Sequence, residues 1–409
     1  MKKIILAIFL IALGLMAMPN LVLASATWWD FQSIDTMKYS RDTAREKLND
    51  SSFDAVIDQQ VSQIASTGAT HVALATPYDE EFVPFLSRWV KAARKYNLHV
   101  WFRGNWSGWE GWFDYPKITR AQHLQKTRDF ITKHTDLIQN GDVFSPCPEC
   151  ENGGPGDPRG NGDVNGHRQF LIDEYRATAD IFRNQGKDVR TNFNSMNGDV
   201  ARLVMDPETT KSLGGIVVID HYVPTPEKLA ADIANIARVS GGKIVLGEYG
   251  VPIPGIHPSM NDTQQAAWLS KSLELLTAQP DLVGINYWVS TGGSTQLWNE
   301  NGTARMAATT VKTFFAPASH QLAVKNALHQ PVASARVQFL NHTFFADTNG
   351  VIAIPNSTLL DIVKVSAPGY LEQSLKTGDT TVSLVKTNPS WWFRLQDLIY
   401  RLLGVYNKR

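Results

Sequence analysis

Two glutamates in this chain combine a reactive carboxyl with the local setting that catalysis needs. Glu248 follows the apolar run 243–247 within the sequence Gly-Glu-Tyr-Gly, and Glu149 follows another apolar run, 142–145. Two carboxyls that face each other across a cleft suit glycoside hydrolysis, because one protonates the leaving oxygen and the other attacks the anomeric carbon. We predict that Glu149 and Glu248 are the catalytic residues, with Glu151 as the alternative acid.

The segment around Glu149 also holds both cysteines of the sequence, Cys147 and Cys150. A structural zinc ion needs about four ligands, and no nearby histidine or cysteine pair completes the set. In an oxidising compartment the two thiols can close a small disulfide ring. Two free thiols or a redox pair are the alternatives. We predict a disulfide that fixes the loop carrying Glu149.

The elements that must position these carboxyls alternate regularly. From residue 27 to residue 315, eight short apolar runs each precede a segment of helical period, which is the pattern of a parallel sheet wrapped in helices. An open doubly wound sheet would show a glycine-rich phosphate loop after its first strand, and residues 34–39 have none. We therefore predict a (β/α)8 TIM barrel over residues 27–316. Its predicted strands are 28–34, 71–76, 98–103, 142–145, 189–194, 215–220, 243–247 and 282–288.

Four side chains near the strand ends are predicted to contact sugar. Trp106 and Trp109 lie in a loop after strand three, spaced by glycine and serine instead of at helical or strand period. Indole faces stack on the apolar faces of sugar rings. Trp298 follows strand eight and is a candidate for another stacking platform. Asn192 lies near the end of strand five, where its amide either binds sugar hydroxyls or caps a loop.

A metal or cofactor is not expected. Asp220 and Glu248 together suggest a divalent-metal site, as in a metal-dependent lyase. Such a lyase would want carboxylates on strands three, four and five, and strand five offers only asparagine. Metal-dependent chemistry is therefore the minority hypothesis.

Two segments follow the predicted barrel. Residues 320–387 read as short alternating strands with turn signals such as Asp-Thr-Asn-Gly, which predicts a small β-sandwich that serves as a spacer or attachment module. The segment resembles the carboxypeptidase regulatory-like, prealbumin-type sandwich. Residues 390–409 place Trp391, Trp392 and Leu395 at helical spacing. They predict an amphipathic helix that either lies on a membrane surface or docks on a domain.

The N-terminus and the charge balance indicate where the chain acts. Lys2, Lys3, an apolar run to Met18 and the small residues 24–26 predict an export signal over residues 1–26 that is cleaved after Ala26. An uncleaved membrane anchor is the alternative. The 39 basic and 39 acidic residues balance, so the chain shows no basic footprint for nucleic acid. We expect a secreted or extracytoplasmic protein, with membrane association through either end as an open question.

Residues at the other strand ends carry a family resemblance. The two strand-end glutamates, the pair His221-Tyr222 after strand six and Trp288 after strand eight resemble the clan A glycoside hydrolases, and most of all the family 5 cellulase and mannanase group. The resemblance implies that Glu248 is the nucleophile and Glu149 the acid/base. It also implies that His221, Tyr222 and Trp288 line the subsite of the attacked sugar.

The chain departs from that family at two places. Pro148 stands where the family usually has asparagine before the acid/base, and residues 76–78 stand where it commonly has arginine, for which Arg103 on strand three is a loose substitute. We therefore predict Arg103 as a further sugar-binding residue. Over residues 27–315 the resemblance implies a retaining glycosidase that cleaves β-linked poly- or oligosaccharide without a cofactor, and the predicted export signal makes it a secreted enzyme. A non-catalytic carbohydrate-binding or cell-surface protein on a degenerate barrel is the alternative.

Overall fold

The computed structural model describes residues 27–340, 342–356, 362–388 and 390–402. The predicted export signal, residues 1–26, lies outside the described residues, as do residues 403–409 of the predicted tail helix. Among the described helices, none combines the length and the apolar character that crossing a bilayer requires.

Eight parallel strands form the first unit, in the hydrogen-bonded order β4-β3-β2-β1-β8-β7-β6-β5. The edge strand β4 meets the segment that precedes β5 through an isolated parallel bridge between Val143 and Arg190. There the Phe144 N–H donates to the Arg190 carbonyl at 2.8 Å, and the Arg190 N–H donates to the Asp142 carbonyl at 3.0 Å. The sheet therefore curls into the predicted TIM barrel. The strands are β1 (Phe31–Asp35), β2 (His71–Leu74), β3 (His99–Phe102), β4 (Val143–Phe144), β5 (Ser195–Asn197), β6 (Ile216–Asp220), β7 (Lys243–Tyr249) and β8 (Leu282–Tyr287).

Helices surround the barrel and use standard end signals. For example, the Thr225 side chain accepts a hydrogen bond from the Lys228 N–H at the start of a helix that ends at Gly241, whose φ of 66° favours glycine. The helices are α1 (Met37–Ser40), α2 (Ala44–Lys47), α3 (Asp54–Ala65), α4 (Val83–Lys95), α5 (Ser107–Glu110), α6 (Arg120–Lys133), α7 (Pro158–Asn161), α8 (Val164–Asn184), α9 (Gly198–Val204), α10 (Pro207–Ser212), α11 (Pro226–Ser240), α12 (Asp262–Thr277), α13 (Met306–Phe315) and α14 (Trp391–Leu402).

The barrel interior changes character along its axis. A buried apolar layer fills the lumen, and one layer closer to the carboxyl ends of the strands the inward side chains become polar, including Asp35, Arg103, Ser195 and Asp220. Because the apolar layer closes the lumen below, the polar layer forms the floor of the mouth. The apolar layer consists of Phe31, Ala73, Trp101, Val143, Phe193, Val218 and Val245.

The fifth strand differs from its prediction. The apolar run 189–194 was expected to pair along its length, but the structure has only the bridge at Arg190 in that run and places β5 at Ser195–Asn197. The physical reason is that β4 is two residues long, so a long partner strand has nothing to pair with on that side. The shift brings Ser195, and not Asn192, to the mouth.

Two small sheets follow the barrel, in the orders β11-β10-β13-β14 and β12-β9-β15. Alternate residues of the strands are buried, which is the pattern of two sheets packed face to face. The strands are β9 (Ser319–Asn326), β10 (Arg336–Phe339), β11 (His342–Phe345), β12 (Val351–Pro355), β13 (Ile362–Ser366), β14 (Gln373–Lys376) and β15 (Thr381–Leu384).

This β unit packs against the amino-terminal end of the barrel. Trp28, which precedes β1, lies with its ring centroid 5.9 Å from that of Phe339 and 5.4 Å from that of His342. The His342 Nε2 also lies 2.7 Å from the Thr277 carbonyl at the end of α12. The β unit therefore sits at the end of the barrel away from the polar mouth.

Candidate active site

Arg103 organises the floor of the mouth. Its side chain follows β3, is almost fully buried, and lies among three carboxylates. One terminal nitrogen is 2.6 Å from Glu248 Oε1 and 3.2 Å from Asp35, and the other is 2.6 Å from Asp220. Arginine suits this position because its fixed fork of donors can serve several carboxylates at once. The sequence prediction of Arg103 as a sugar-binding residue is thus placed at the site, but beneath the nucleophile candidate.

Glu248 is held through both of its carboxylate oxygens. Arg103 donates to Oε1 at 2.6 Å, and the Tyr222 hydroxyl donates to Oε2 at 2.8 Å. Glu248 lies at the end of β7, which begins at Lys243 and is buried beyond its first residue. A carboxylate fixed at both oxygens on a rigid strand has a defined position for attack.

Glu149 is placed by a tight backbone turn after β4. Its φ of 45° lies in the left-handed region, and its N–H donates to the Ser195 carbonyl at 2.7 Å. Cys147 and Cys150 flank it in a disulfide with a Cα–Cα distance of 5.1 Å, so the predicted ring around this glutamate is present. The β4 loop is therefore tied to β5 and closed on itself at the residue that carries the carboxyl.

The environment of Glu149 favours a bound proton. Burial and, to a lesser degree, the nearby Glu248 carboxylate raise the pKa of Glu149 to about 8 against the opposing positive charge of Arg103. Burial and like charge both disfavour the ionised form. Glu149 therefore keeps its proton near neutral pH, as a general acid requires.

The two predicted catalytic carboxyls meet in the mouth. Carboxylate oxygens of Glu149, Asp220 and Glu248 all lie within 4.8 Å of one another. Glu151, the alternative acid, instead accepts hydrogen bonds from the Asn197 backbone N–H at 2.7 Å and from its side-chain amide at 3.1 Å. The structure thus pairs Glu149 with Glu248 and engages Glu151 with the end of β5.

The carboxylate oxygens of Glu149, Asp220 and Glu248 are of the type that binds metal cations, but two of these carboxylates already face a positive side chain. Arg103 contacts both Asp220 and Glu248, so its guanidinium supplies the positive charge at the centre of the group. Burial also raises the pKa of Asp220 well above its usual value, with Arg103 acting in the opposite direction. The chemistry of the donor set therefore suits an arginine-centred carboxylate cluster better than a metal ion.

The three residues carried over from the family resemblance lie at the mouth. The centroids of the Tyr222 and Trp288 rings lie 6.1 Å apart, and the two ring planes are inclined at 74°. His221 Nε2 lies 2.9 Å from Asp232, which holds the imidazole against α11. A cleft of about 460 Å³ opens beside these residues and is lined in part by Asn197, His221 and Tyr222.

Trp106 and Trp109, which were expected to face sugar, are core residues. Trp106 is 4% exposed and donates its indole N–H to Thr127 at 3.0 Å. Trp109 is 3% exposed, stacks on Phe170 and donates to the Cys150 carbonyl at 3.1 Å. The prediction was wrong because the loop folds inward over α6 and α8, so that spacing by glycine and serine does not mean exposure.

Two further residues that were predicted to contact sugar, Trp298 and Asn192, are also engaged elsewhere. Trp298 is 4% exposed, and its backbone forms a bridge with Ala304, so its ring faces offer no platform. Asn192 donates to the Gly214 carbonyl at 3.2 Å, which is the loop-capping alternative. It lies three residues before β5, too early in the chain to reach the carboxyl end of that strand.

Several residues at the mouth were missed from the sequence. A small chamber of about 20 Å³ next to Glu149 is lined by Arg41, Glu110 and Trp112, among others. The Arg41 guanidinium lies 4.8 Å from the centre of the Trp112 ring. Asp35, which ends β1, could have been found by the same strand-end reasoning that found Glu248. Glu110 and Trp112 lie in a loop, and no periodic signal marks them.

Glu110 is the end of a buried chain of polar groups. Its carboxyl accepts a hydrogen bond from the Asn105 amide, whose oxygen lies 2.9 Å from His123 Nε2. His123 Nδ1 lies 2.7 Å from Glu174. Burial and, to a lesser degree, the nearby Glu149 raise the pKa of Glu110 to about 8. A second carboxyl with a perturbed pKa therefore stands next to Glu149.

Comparison with known proteins adds evidence at the level of the fold. No protein-family model matches the sequence, and no curated protein sequence matches it. Among solved structures, a GH5_18 protein from Bifidobacterium longum subsp. longum in complex with Manβ1-4GlcNAc is similar, with a TM-score of 0.53 and 14% identity over 75% of this chain and 86% of that one.

A second similar structure, GH5_18 from Streptomyces cattleya in complex with GlcNAc, has a TM-score of 0.54 and 13% identity over 74% of this chain and 84% of that one. At these identities the likeness shows a shared fold. The chain therefore has the barrel architecture of GH5_18 glycoside hydrolases, as the strand-end residues suggested.

Proposed function

We propose that this chain is a retaining glycoside hydrolase that cleaves a β-linked saccharide. The observation that carries the proposal is the placement of Glu149 and Glu248 at the barrel mouth, with carboxylate oxygens within 4.8 Å of each other. Retaining enzymes hold their two carboxyl groups about 5 to 5.5 Å apart, whereas inverting enzymes leave about 6.5 to 9.5 Å for a water molecule. The close approach supports the retaining mechanism.

The reaction follows from the two environments. Glu248 Oε attacks the anomeric carbon as the glycosidic C–O bond breaks, and Glu149 gives its proton to the leaving oxygen. In the second step Glu149, now ionised, takes a proton from water. The water oxygen bonds to the anomeric carbon, the bond to Glu248 breaks, and both carboxyls return to their first state.

The surrounding residues support this division of roles. Arg103 and Tyr222 donate to the two oxygens of Glu248, which orients it as a nucleophile. The raised pKa of Glu149 suits an acid. The Tyr222 hydroxyl is bonded to Glu248, and the Trp288 indole lies beside the Tyr222 ring, so these two side chains are the proposed wall of the subsite for the attacked sugar.

The substrate is proposed by chemistry and by analogy in fold. One GH5_18 structure holds Manβ1-4GlcNAc, so this disaccharide, a mannose β-1,4-linked to N-acetylglucosamine, is the first compound to test. Asparagine is missing before Glu149, since Pro148 stands there. Asn197, at the end of β5, lines the cleft. Its side-chain amide is the proposed replacement for that contact with a sugar hydroxyl.

Export is part of the proposal. The pattern of residues 1–26 supports a cleaved signal, and the Cys147–Cys150 disulfide suits an oxidising compartment. Mass spectrometry of the protein recovered outside the cells should find Thr27 as the first residue. Recovery only in the membrane fraction with residues 1–26 attached would support the anchor instead.

The test of function uses a panel of aryl β-glycosides together with Manβ1-4GlcNAc, with the anomeric configuration of the first product followed by NMR. Glu248→Gln should lower kcat on the order of 10⁴-fold while the melting temperature stays close to that of the wild type. An inverted first product, or unchanged turnover in Glu248→Gln, would overturn the proposal.

Azide separates Glu149 from Glu151. In Glu149→Ala an azide ion can enter the space of the lost carboxyl and attack the glycosyl-enzyme, so a substrate with a good leaving group should yield a β-glycosyl azide. The matched variant Glu151→Ala should yield none. Binding of saccharide without turnover by the wild type over the whole panel would favour the non-catalytic alternative.

A further inference from the structure

The last described helix, α14 (Trp391–Leu402), presents an apolar face to solvent. Two tryptophans begin it, and their rings lie 5.3 Å apart. Trp391 is 73% exposed and Trp392 is 55% exposed, although large aromatic side chains are usually buried. Three aliphatic residues continue the same exposed face at helical spacing, Leu395, Leu398 and Ile399.

The charge of this segment points to the chemistry of its partner. Residues 390–409 contain four basic residues and one acidic residue, in a chain that is neutral as a whole. Tryptophan and arginine together favour the boundary between lipid headgroups and acyl chains, because the indole has an apolar body and a polar N–H. The charged residues are Arg394, Asp397, Arg401, Lys408 and Arg409.

Helix length excludes a spanning role for α14. Its 12 residues extend for about 18 Å, and the hydrocarbon core of a bilayer is about 30 Å thick. A short helix with one apolar face and excess positive charge can lie in the plane of the interface instead.

We propose that α14 binds the surface of an anionic lipid bilayer and thereby holds the protein at a membrane. The occupant of the apolar face is lipid, with anionic headgroups meeting the basic residues. The helix follows the β unit, whose end is marked by the bridge between Tyr370 and Lys386. Because the β unit packs on the amino-terminal end of the barrel through Trp28, attachment through α14 leaves the barrel mouth open.

Vesicle flotation of the full-length protein tests this proposal. The wild type should bind vesicles of phosphatidylcholine with 30% phosphatidylglycerol more tightly than pure phosphatidylcholine, by about fivefold for each basic residue that reaches the surface. Raising the salt concentration to 0.5 M should reduce this difference, since exposed charges are screened.

Substitutions then separate this helix from other sources of binding. The triple variant W391S/L395S/L398S should lose at least tenfold in partitioning, whereas F345S, which removes an aromatic residue that is 72% exposed on the β unit, should bind as the wild type does. Equal binding by the wild type and the triple variant would overturn the proposal.

A protein partner would give a different result. If the apolar face joins two copies of the chain, sedimentation without lipid should show a dimer that W391S/L395S/L398S abolishes, and vesicles should not bind; that outcome also overturns the proposal. Glycosidase activity toward a small soluble substrate should be the same in all these variants. The membrane proposal therefore stands or falls separately from the proposed reaction.

Discussion

At the scale of single residues, the chemistry of the site depends on which carboxyl groups burial keeps protonated. Glu149 and Glu110 both have a pKa raised to about 8 by burial, and Arg103 carries the balancing charge. A general acid must be protonated, so kcat/KM should fall as pH rises through about 8, the range in which Glu149 loses its proton.

Glu110 should influence the pH at which kcat/KM falls. Two neighbouring carboxyls make each other harder to ionise, so Glu110→Gln should move the alkaline limb of kcat/KM to lower pH by about half to one unit. The glutamine keeps an oxygen for the Asn105 amide. A pH profile of the variant measures the shift.

The control for this prediction is Glu372→Gln, which removes an exposed carboxyl on the β unit. It should leave the profile unchanged. An alkaline limb that stays in place in Glu110→Gln would mean that Glu110 acts only in folding.

Arg103→Met should cost the fold as well as the reaction. Loss of the guanidinium leaves Asp35, Asp220 and Glu248 as buried neighbours, and breaking a buried ion pair costs about 3–5 kcal/mol. Denaturation in urea at several pH values measures this loss, with Arg183→Met, at an exposed arginine, as the control.

The pKa shifts of the buried aspartates also determine the direction in which the stability of Arg103→Met changes with pH. Burial raises the pKa values of Asp35 and Asp220 in the folded state, so the native protein binds more protons than the unfolded chain above the ordinary aspartate pKa. The stability of Arg103→Met should therefore fall as pH rises, with a larger deficit at pH 8 than at pH 5. A deficit that is independent of pH would contradict this account.

At the scale of elements, the alternation of strands and helices was enough to predict the barrel and both catalytic candidates. Glu248 was predictable because its strand is a continuous apolar run with a carboxyl at its end. The indoles of Trp106 and Trp109 were misplaced because their burial depends on α6 and α8, which are distant in sequence. Glu110 was missed for the same reason, since only tertiary packing brings α5 beside Glu149.

The disulfide loop after β4 should matter more for the rate than for stability. Replacing both cysteines, C147S/C150S, removes a very small covalent ring, which in the chain-entropy model contributes roughly 2 kcal/mol. The turn that aims Glu149 then loses its constraint, and a displacement of about 1 Å can cost 10²-fold in rate.

Activity assays and urea denaturation of the same C147S/C150S preparation should therefore show a kcat reduced by 10- to 100-fold with a modest loss of stability. If kcat is unchanged while stability falls, the disulfide supports the fold without positioning the acid.

At the scale of the whole molecule, the β unit and the mouth occupy opposite ends of the barrel. Trp28 is buried between the barrel and the β unit, so Trp28→Ala should lower the free energy of unfolding by about 3–5 kcal/mol. Because the site lies at the other end, kcat and KM at a temperature where the variant is folded should match the wild type. The exposed Trp392 provides the control, since Trp392→Ala should change neither quantity.

The bridge between Val143 and Arg190 has a consequence for how the protein fails under heat. Every other pair of neighbouring strands in the barrel shares at least two paired residues, so the cylinder has a seam between β4 and β5. The proposed acid, Glu149, follows β4 at this seam, while the proposed nucleophile, Glu248, lies on β7. Warming should part this seam first and disable hydrolysis several degrees before the helical circular dichroism signal declines. Hydrogen exchange should report the same event, with the amides of Phe144 and Arg190 exchanging sooner than those of β7.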